Sequence, residues 1–217
     1  MIALCHDCKH QHGLRPHNAP QDWLDWQAKH AHHAVDLVAS KRRDWSDYKH
    51  NANVNIAYAA SSVITITLAS IATSATFAAG AESTVIDNTS NKYVDAIVGG
   101  KITVGTTPTI NTQILVYVFT PIDSTPTYPD VMDGTDSTET LTSVGVGAGF
   151  LKLGAALIVD AVTSNIAYPF SFAVAPLFGG SMPSRWSLYV THNTGVNLNA
   201  TGGNHVIKYE GITYTVV

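Results

Sequence analysis

The chain of 217 residues is 45% hydrophobic and carries a formal charge of −4 from 12 basic and 16 acidic side chains. That length and apolar content suffice for a substantial core, so the chain need not be disordered. The weak negative charge, with a single basic run "KRR" at 41–43, excludes a protein built to track a phosphate backbone, so no nucleic acid is expected as partner.

The first fifty residues differ in kind from the rest. They hold eight of the ten histidines, both cysteines, seven of the twelve Lys and Arg, and three of the four tryptophans. The remainder is dominated by Thr, Ser, Val, Ala, Gly and Ile, and the break predicts a Cys/His-rich helical anchoring segment at 1–50 and a body at 51–217. The opening "MIALCHDCKHQ" lacks the basic end and apolar run of a secretory signal, so export by that route is not expected. Two close cysteines in that setting read as thiols or ligands rather than a structural disulfide.

"CHDCKHQHGLRPH" at 5–17 packs two cysteines and four histidines into thirteen positions. Asn18 as cap, Pro20 in the first turn and Gln21 at the reciprocal capping position predict a helix over about 19–40. On it Trp23, Trp26, His30, His33 and Leu37 recur at intervals of three and four and share a face. Cys5 and Cys8 can grip one ion while His30 and His33 complete a tetrahedral set, with His12 and His17 as competitors. Zinc favours such a thiolate and imidazole shell, so one structural zinc per chain is expected. Four protein ligands leave no place for a reactive water, and a zinc hydrolase would need one ligand missing. Trp23 and Trp26 then supply the small core of this unit, while Trp45 and "KRRDWSDYKH" connect it to the body.

The uncharged stretch 51–81 is long enough to cross a bilayer, but Ser or Thr at nearly every second position of "SSVITITLASIATSATF" fits a strand pair better, and no membrane insertion is expected. Beyond it the pattern predicts strands at 63–71, 76–77, 93–104, 113–119, 139–143, 150–160, 168–175 and 185–192, closed by a pair at 205–209 and 212–217. Turn signals punctuate them, among them "NTSN" at 88–91, "VGGK" at 98–101, "DGTD" at 133–136 and "YEGI" at 209–212. The fold class expected is mainly β, a jelly-roll-like β-sandwich preceded by the small Cys/His zinc-knuckle and helix segment.

The longest irregular connection, "FTPIDSTPTYPDVMDGTDSTET", holds Asp123, Asp130, Asp133 and Asp136. Their spacing is not that of a calcium loop, and the segment reads as a proline-stiffened surface loop in which Tyr128 can make an interface contact. GxSxG, HExxH and a phosphate-binding glycine loop are all missing, and His192 and His205 read as strand-end and hairpin residues rather than a catalytic pair. No enzyme is expected.

The runs "APQDWLDWQAKH", "NKYVDAIVGGKITVGTTPTINTQILVYVF", "TPTYPDVMDGTDSTET" and "YPFSFAVAPLFGGSMPSRWSLYVTHNTGVNLNATGGNH" together resemble small structural proteins of tailed bacteriophages, the capsid-decoration, head-accessory and tail-associated components. The resemblance covers most of 50–217 and implies a non-enzymatic virion subunit on the particle exterior, made in the host cytoplasm. It also implies a symmetric assembly, with a trimer expected, in which the N-terminal segment attaches to a neighbouring capsid or tail protein. The rival is a carbohydrate-binding accessory module on the particle surface, holding glycans on exposed rings of Tyr128, Trp186 or Tyr189.

Overall fold

The computed structural model describes residues 54–216 together with two short strands, β1 (Ala3–Leu4) and β2 (Gln11–His12). The chain divides into two units, Met1–Asn53 and Val54–Val217. In the first, β1 and β2 pair antiparallel, Ala3 opposite His12 and Leu4 opposite Gln11. The helix expected over 19–40 lies outside the described residues.

The second unit is mainly β, and it is built from two antiparallel sheets packed face to face. Its strands are β3 (Val54–Tyr58), β4 (Ser62–Val63), β5 (Ala79–Glu82), β6 (Ile86–Asp87), β7 (Asp95–Thr103), β8 (Thr112–Phe119), β9 (Ser137–Thr140), β10 (Lys152–Val159), β11 (Ala167–Ala173), β12 (Arg185–His192) and β13 (Val206–Val216). The first sheet runs β10-β8-β12-β5-β9, with β6 also on β12. The second runs β11-β7-β13-β3, with β4 also on β13. A helix, α1 (Val144–Phe150), precedes β10.

Alternation fills the space between the sheets. Ala96, Val98 and Ile102 of β7 are buried while Ile97 and Lys101 face outward. From the first sheet Ile114, Val116 and Val118 of β8 meet Trp186, Leu188 and Val190 of β12 in the same core. The Trp186 ring stands edge-on to Tyr209 of the opposite sheet, centroids 5.6 Å apart. Each such side chain, fully buried, contributes roughly 1.5–3 kcal/mol.

Strand β12 is buried on both faces, because residues 120–151 fold back over the outer side of the first sheet. There Phe119, Met132, Leu141 and Tyr189 form a second, smaller core with Tyr117, Tyr128, Phe150 and Leu151 around it. At one flank Gly154 of β10 lies flat against the Phe172 ring of β11.

Several expected elements differ. Of 63–71 only the first residue is strand, and Ile64, Leu68 and Ile71 then descend into the core from irregular chain. The strand expected at 76–77 falls instead at β5, because Phe77 takes a left-handed turn (φ 62°). The strand expected at 139–143 shifts to β9: Asp130 takes the Thr142 N–H, and Ser143 caps α1 by accepting the Val146 N–H at 3.1 Å. The closing pair is one continuous strand, β13, which runs through "YEGI" without turning. Gly211 is there because a Cβ would run into the Tyr93 ring, and Gly100 of "VGGK" because a Cβ would strike the Val206 carbonyl of β13.

Candidate functional site

Of the expected zinc ligands, Cys5, Cys8, His17, His30 and His33 lie outside the described residues. His12 is placed by its backbone alone, in β2 opposite Ala3. Among the described residues no group of three or more His, Cys, Asp or Glu converges as a metal shell would.

The acidic loop is organised by threonines. Each aspartate accepts both the backbone N–H and the hydroxyl of one threonine: Asp123 from Thr127, Asp133 from Thr135, Asp130 from Thr142 and Asp136 from Thr67. Asp87 holds Thr89 in the same way and adds an ion pair to Arg185 at 3.2 Å. Asp87, Asp123 and Asp133 shape local turns in this way, whereas Asp130 and Asp136 tie distant segments together.

Beneath the loop lies Glu82 of β5, fully buried. Its carboxylate accepts the Gly134 N–H at 2.6 Å and the Asp133 N–H at 3.1 Å, which pins the loop to the sheet. Burial raises its pKa to about 7 and outweighs the two amide donors; the nearby Asp133 and Glu139 push the same way as burial. Sequence gave no sign of this group, since "GAES" carries no motif.

Both body histidines are tied into structure. His192, fully buried, places Nε2 at 3.1 Å from the Ile71 carbonyl and Nδ1 at 3.0 Å from the Thr194 hydroxyl. Burial lowers its pKa and keeps the ring neutral. His205 accepts the Thr103 N–H on Nδ1 and donates from Nε2 to the Asn199 carbonyl at 2.9 Å.

Two of the three rings expected to hold sugars have no open face. Trp186 and Tyr189 are fully buried, with the Tyr189 hydroxyl donating to the Ala78 carbonyl at 2.7 Å. Tyr128 is half-buried, edge-on to Phe119 and lying over Gly134.

What the body does expose is an apolar stripe on the outer face of the second sheet. In the β3–β13 register Ile56 faces Tyr214 and Tyr58 faces Ile212, so these four share one side. Ile56 is 58% exposed, Tyr58 61% and Tyr214 59%; further along the same face Val63 of β4 lies opposite exposed Lys208 and Ile97 of β7 opposite exposed Glu210, so charge bounds the stripe there. The signal was present in "NIAY" and "ITYTV", where large apolar residues alternate with small or polar ones.

No protein-family model, curated protein or solved structure matches the chain.

Proposed function

We propose that this chain is a non-enzymatic structural subunit of a bacteriophage virion, which decorates or cements the capsid or a tail-associated assembly. Its body self-associates, and its N-terminal segment binds zinc and attaches to a neighbouring capsid or tail protein. The particle context comes from the sequence resemblance.

The observation that carries the reading is strand order. Setting aside the two-residue β4 and β6 and the outermost β9, the remaining strands number one to eight as β3, β5, β7, β8, β10, β11, β12 and β13. One sheet then runs six-three-eight-one and the other five-four-seven-two. Two Greek keys folded over one another generate this order, and it supports reading the sandwich as a jelly roll, an architecture that recurs in viral capsid proteins. The exposed stripe around β3 supports the assembly role, since a body meant to stay solitary gains nothing from leaving such side chains in water. The spacing of Cys5 and Cys8, with His30 and His33 one helical turn apart in the expected helix, supports the zinc reading.

The test is a cryo-electron reconstruction of the intact particle with the chain located in density, beside mass spectrometry of purified particles for its copy number. Occupancy of symmetry-related positions is expected. A chain absent from washed particles overturns the proposal.

A further inference from the structure

We infer that the open edge of β3 pairs antiparallel with β3 of a second copy, about a two-fold axis at Ile56, so that two second sheets become one continuous sheet. This rests on the self-association reading above and narrows it to an even-numbered assembly in place of the three-fold one that the resemblance implies.

Three of the four sheet edges are guarded. On β11 the residues hydrogen-bonded to β7 fall in step with Val104–Ile166 and Ala96–Val174, so Pro169 turns toward the open edge and removes a donor there. On β10 the register breaks between Leu153 and Ala155, and the strand lies against Phe172 of β11. Strand β9 is four residues long and carries Glu139. Strand β3, "VNIAY", has no proline, charge or register break, and among the described residues nothing pairs with its far side. Unguarded edges of this kind take up another strand.

The occupant follows from register. The Ala59 N–H donates to the Gly211 carbonyl, so by the two-residue alternation Ala57 and Asn55 bond toward β13. Ile56 and Tyr58 therefore turn their N–H and C=O groups to the open edge. A two-fold axis at Ile56 sets it opposite the partner's Ile56 and sets Tyr58 opposite the partner's Val54. Every outward backbone group of the strand then finds a mate, and the cross-strand pairs, aliphatic with aliphatic and aromatic with β-branched, are favourable ones. A strand that satisfies its own edge in this way calls for a second copy, since the interface is isologous. The two stripes join side by side across the seam. Ile56 and Tyr58, both exposed on the edge strand, meet their mates at that seam, while the rest of the outer face stays in solvent.

Sedimentation velocity on the full chain over a concentration series tests this, with wild type, Ile56→Asp, Ile56→Pro and Ile97→Asp compared. Wild type is expected to form dimers. Ile56→Asp sets two carboxylates ~5 Å apart and Ile56→Pro removes an edge donor without touching the β13 ladder, so each is expected to raise the dissociation constant about tenfold or more. Ile97→Asp, on the same face but two strands from the edge, is expected to leave it unchanged. Hydrogen exchange needs no variant: protection of the Ile56 and Tyr58 amides should rise with wild-type concentration. A wild-type monomer at all concentrations, an edge amide protected equally at every dilution, or a dimer indifferent to Ile56→Asp overturns the inference. So does a dimer weakened as much by Ile97→Asp, which would mean stacked faces. A self-associating chain that ignores Ile56→Asp sinks edge pairing alone, whereas absence from particles sinks the virion role alone.

Discussion

Glu82 is the residue on which the loop over the first sheet depends. Its two amide donors favour the carboxylate, yet burial beside Asp133 and Glu139 dominates and raises the pKa from the ordinary 4.5 to about 7. The folded state therefore holds a proton that the unfolded chain releases between these values. Stability from this group is fully present below about pH 4.5 and is lost as pH rises through about 7. A shift of that size corresponds to at most about 3 kcal/mol. His192 opposes it: with its pKa lowered by burial, its contribution is lost as pH falls below the ordinary imidazole value. The prediction is accordingly a difference between two proteins. Urea unfolding of wild type and Glu82→Gln from pH 4.5 to 8 should show the variant losing the component that falls with rising pH, while the His192 component remains in both. Parallel pH profiles for the two proteins would contradict it. The aspartate–threonine clamps make a second case at this scale. Asp136 grips Thr67 across 69 positions of sequence, N–H at 2.6 Å and hydroxyl at 2.7 Å, and Asp136→Ala should lower stability by about 1–3 kcal/mol. Asp123 reaches only four residues on, to Thr127, so Asp123→Ala should cost less in the same melts.

Among elements, β13 shows how a glycine is misread. "YEGI" has turn composition, but Gly211 continues the strand because Tyr93 rests on its bare Cα. Gly211→Ala forces that ring aside and is predicted to cost roughly 1–3 kcal/mol as overpacking does. Tyr93→Leu in the same chain should recover part of the loss, and a thermal double-mutant cycle reads it directly. Additive losses would mean that the glycine serves some purpose other than the ring. The same contrast explains what sequence could and could not deliver. Strands β7, β8, β10 and β11 were legible within a few residues because they line the space between two sheets, and β12 because its run of β-branched and aromatic residues is bounded by turn signals. Helix α1 was not, since three glycines in "VGVGAGF" argue against helix; Ser143 caps it, and Gly147 lies flat on Leu141, which is tertiary packing overriding propensity. The surface stripe and Glu82 were missed for a further reason. Outward-facing apolar residues carry the same period as inward-facing ones, and a buried acid announces itself only when its neighbours are known.

For the whole molecule the question is whether its two units stand or fall together. The body owns a contiguous core drawn from its own strands, and every buried side chain identified in it comes from residues 64–207. A core of that extent supports folding without help from outside. The N-terminal unit is the opposite case: about fifty residues can bury little, and a metal held by Cys5 and Cys8 with His30 and His33 would supply folding free energy directly. Metal binding and body stability should then be separable. Protein purified without an affinity tag should contain close to one zinc per chain by elemental analysis, and Cys5→Ser should abolish it. Chelation or Cys5→Ser should leave the body's cooperative melt in place and its β-type circular dichroism intact, and residues 54–217 expressed alone should give the same melt. Loss of the body transition on chelation would tie the metal to the sandwich itself. Near-zero zinc in the wild type would remove the knuckle while leaving the sandwich, its β3 edge and the assembly role to be judged on their own measurements.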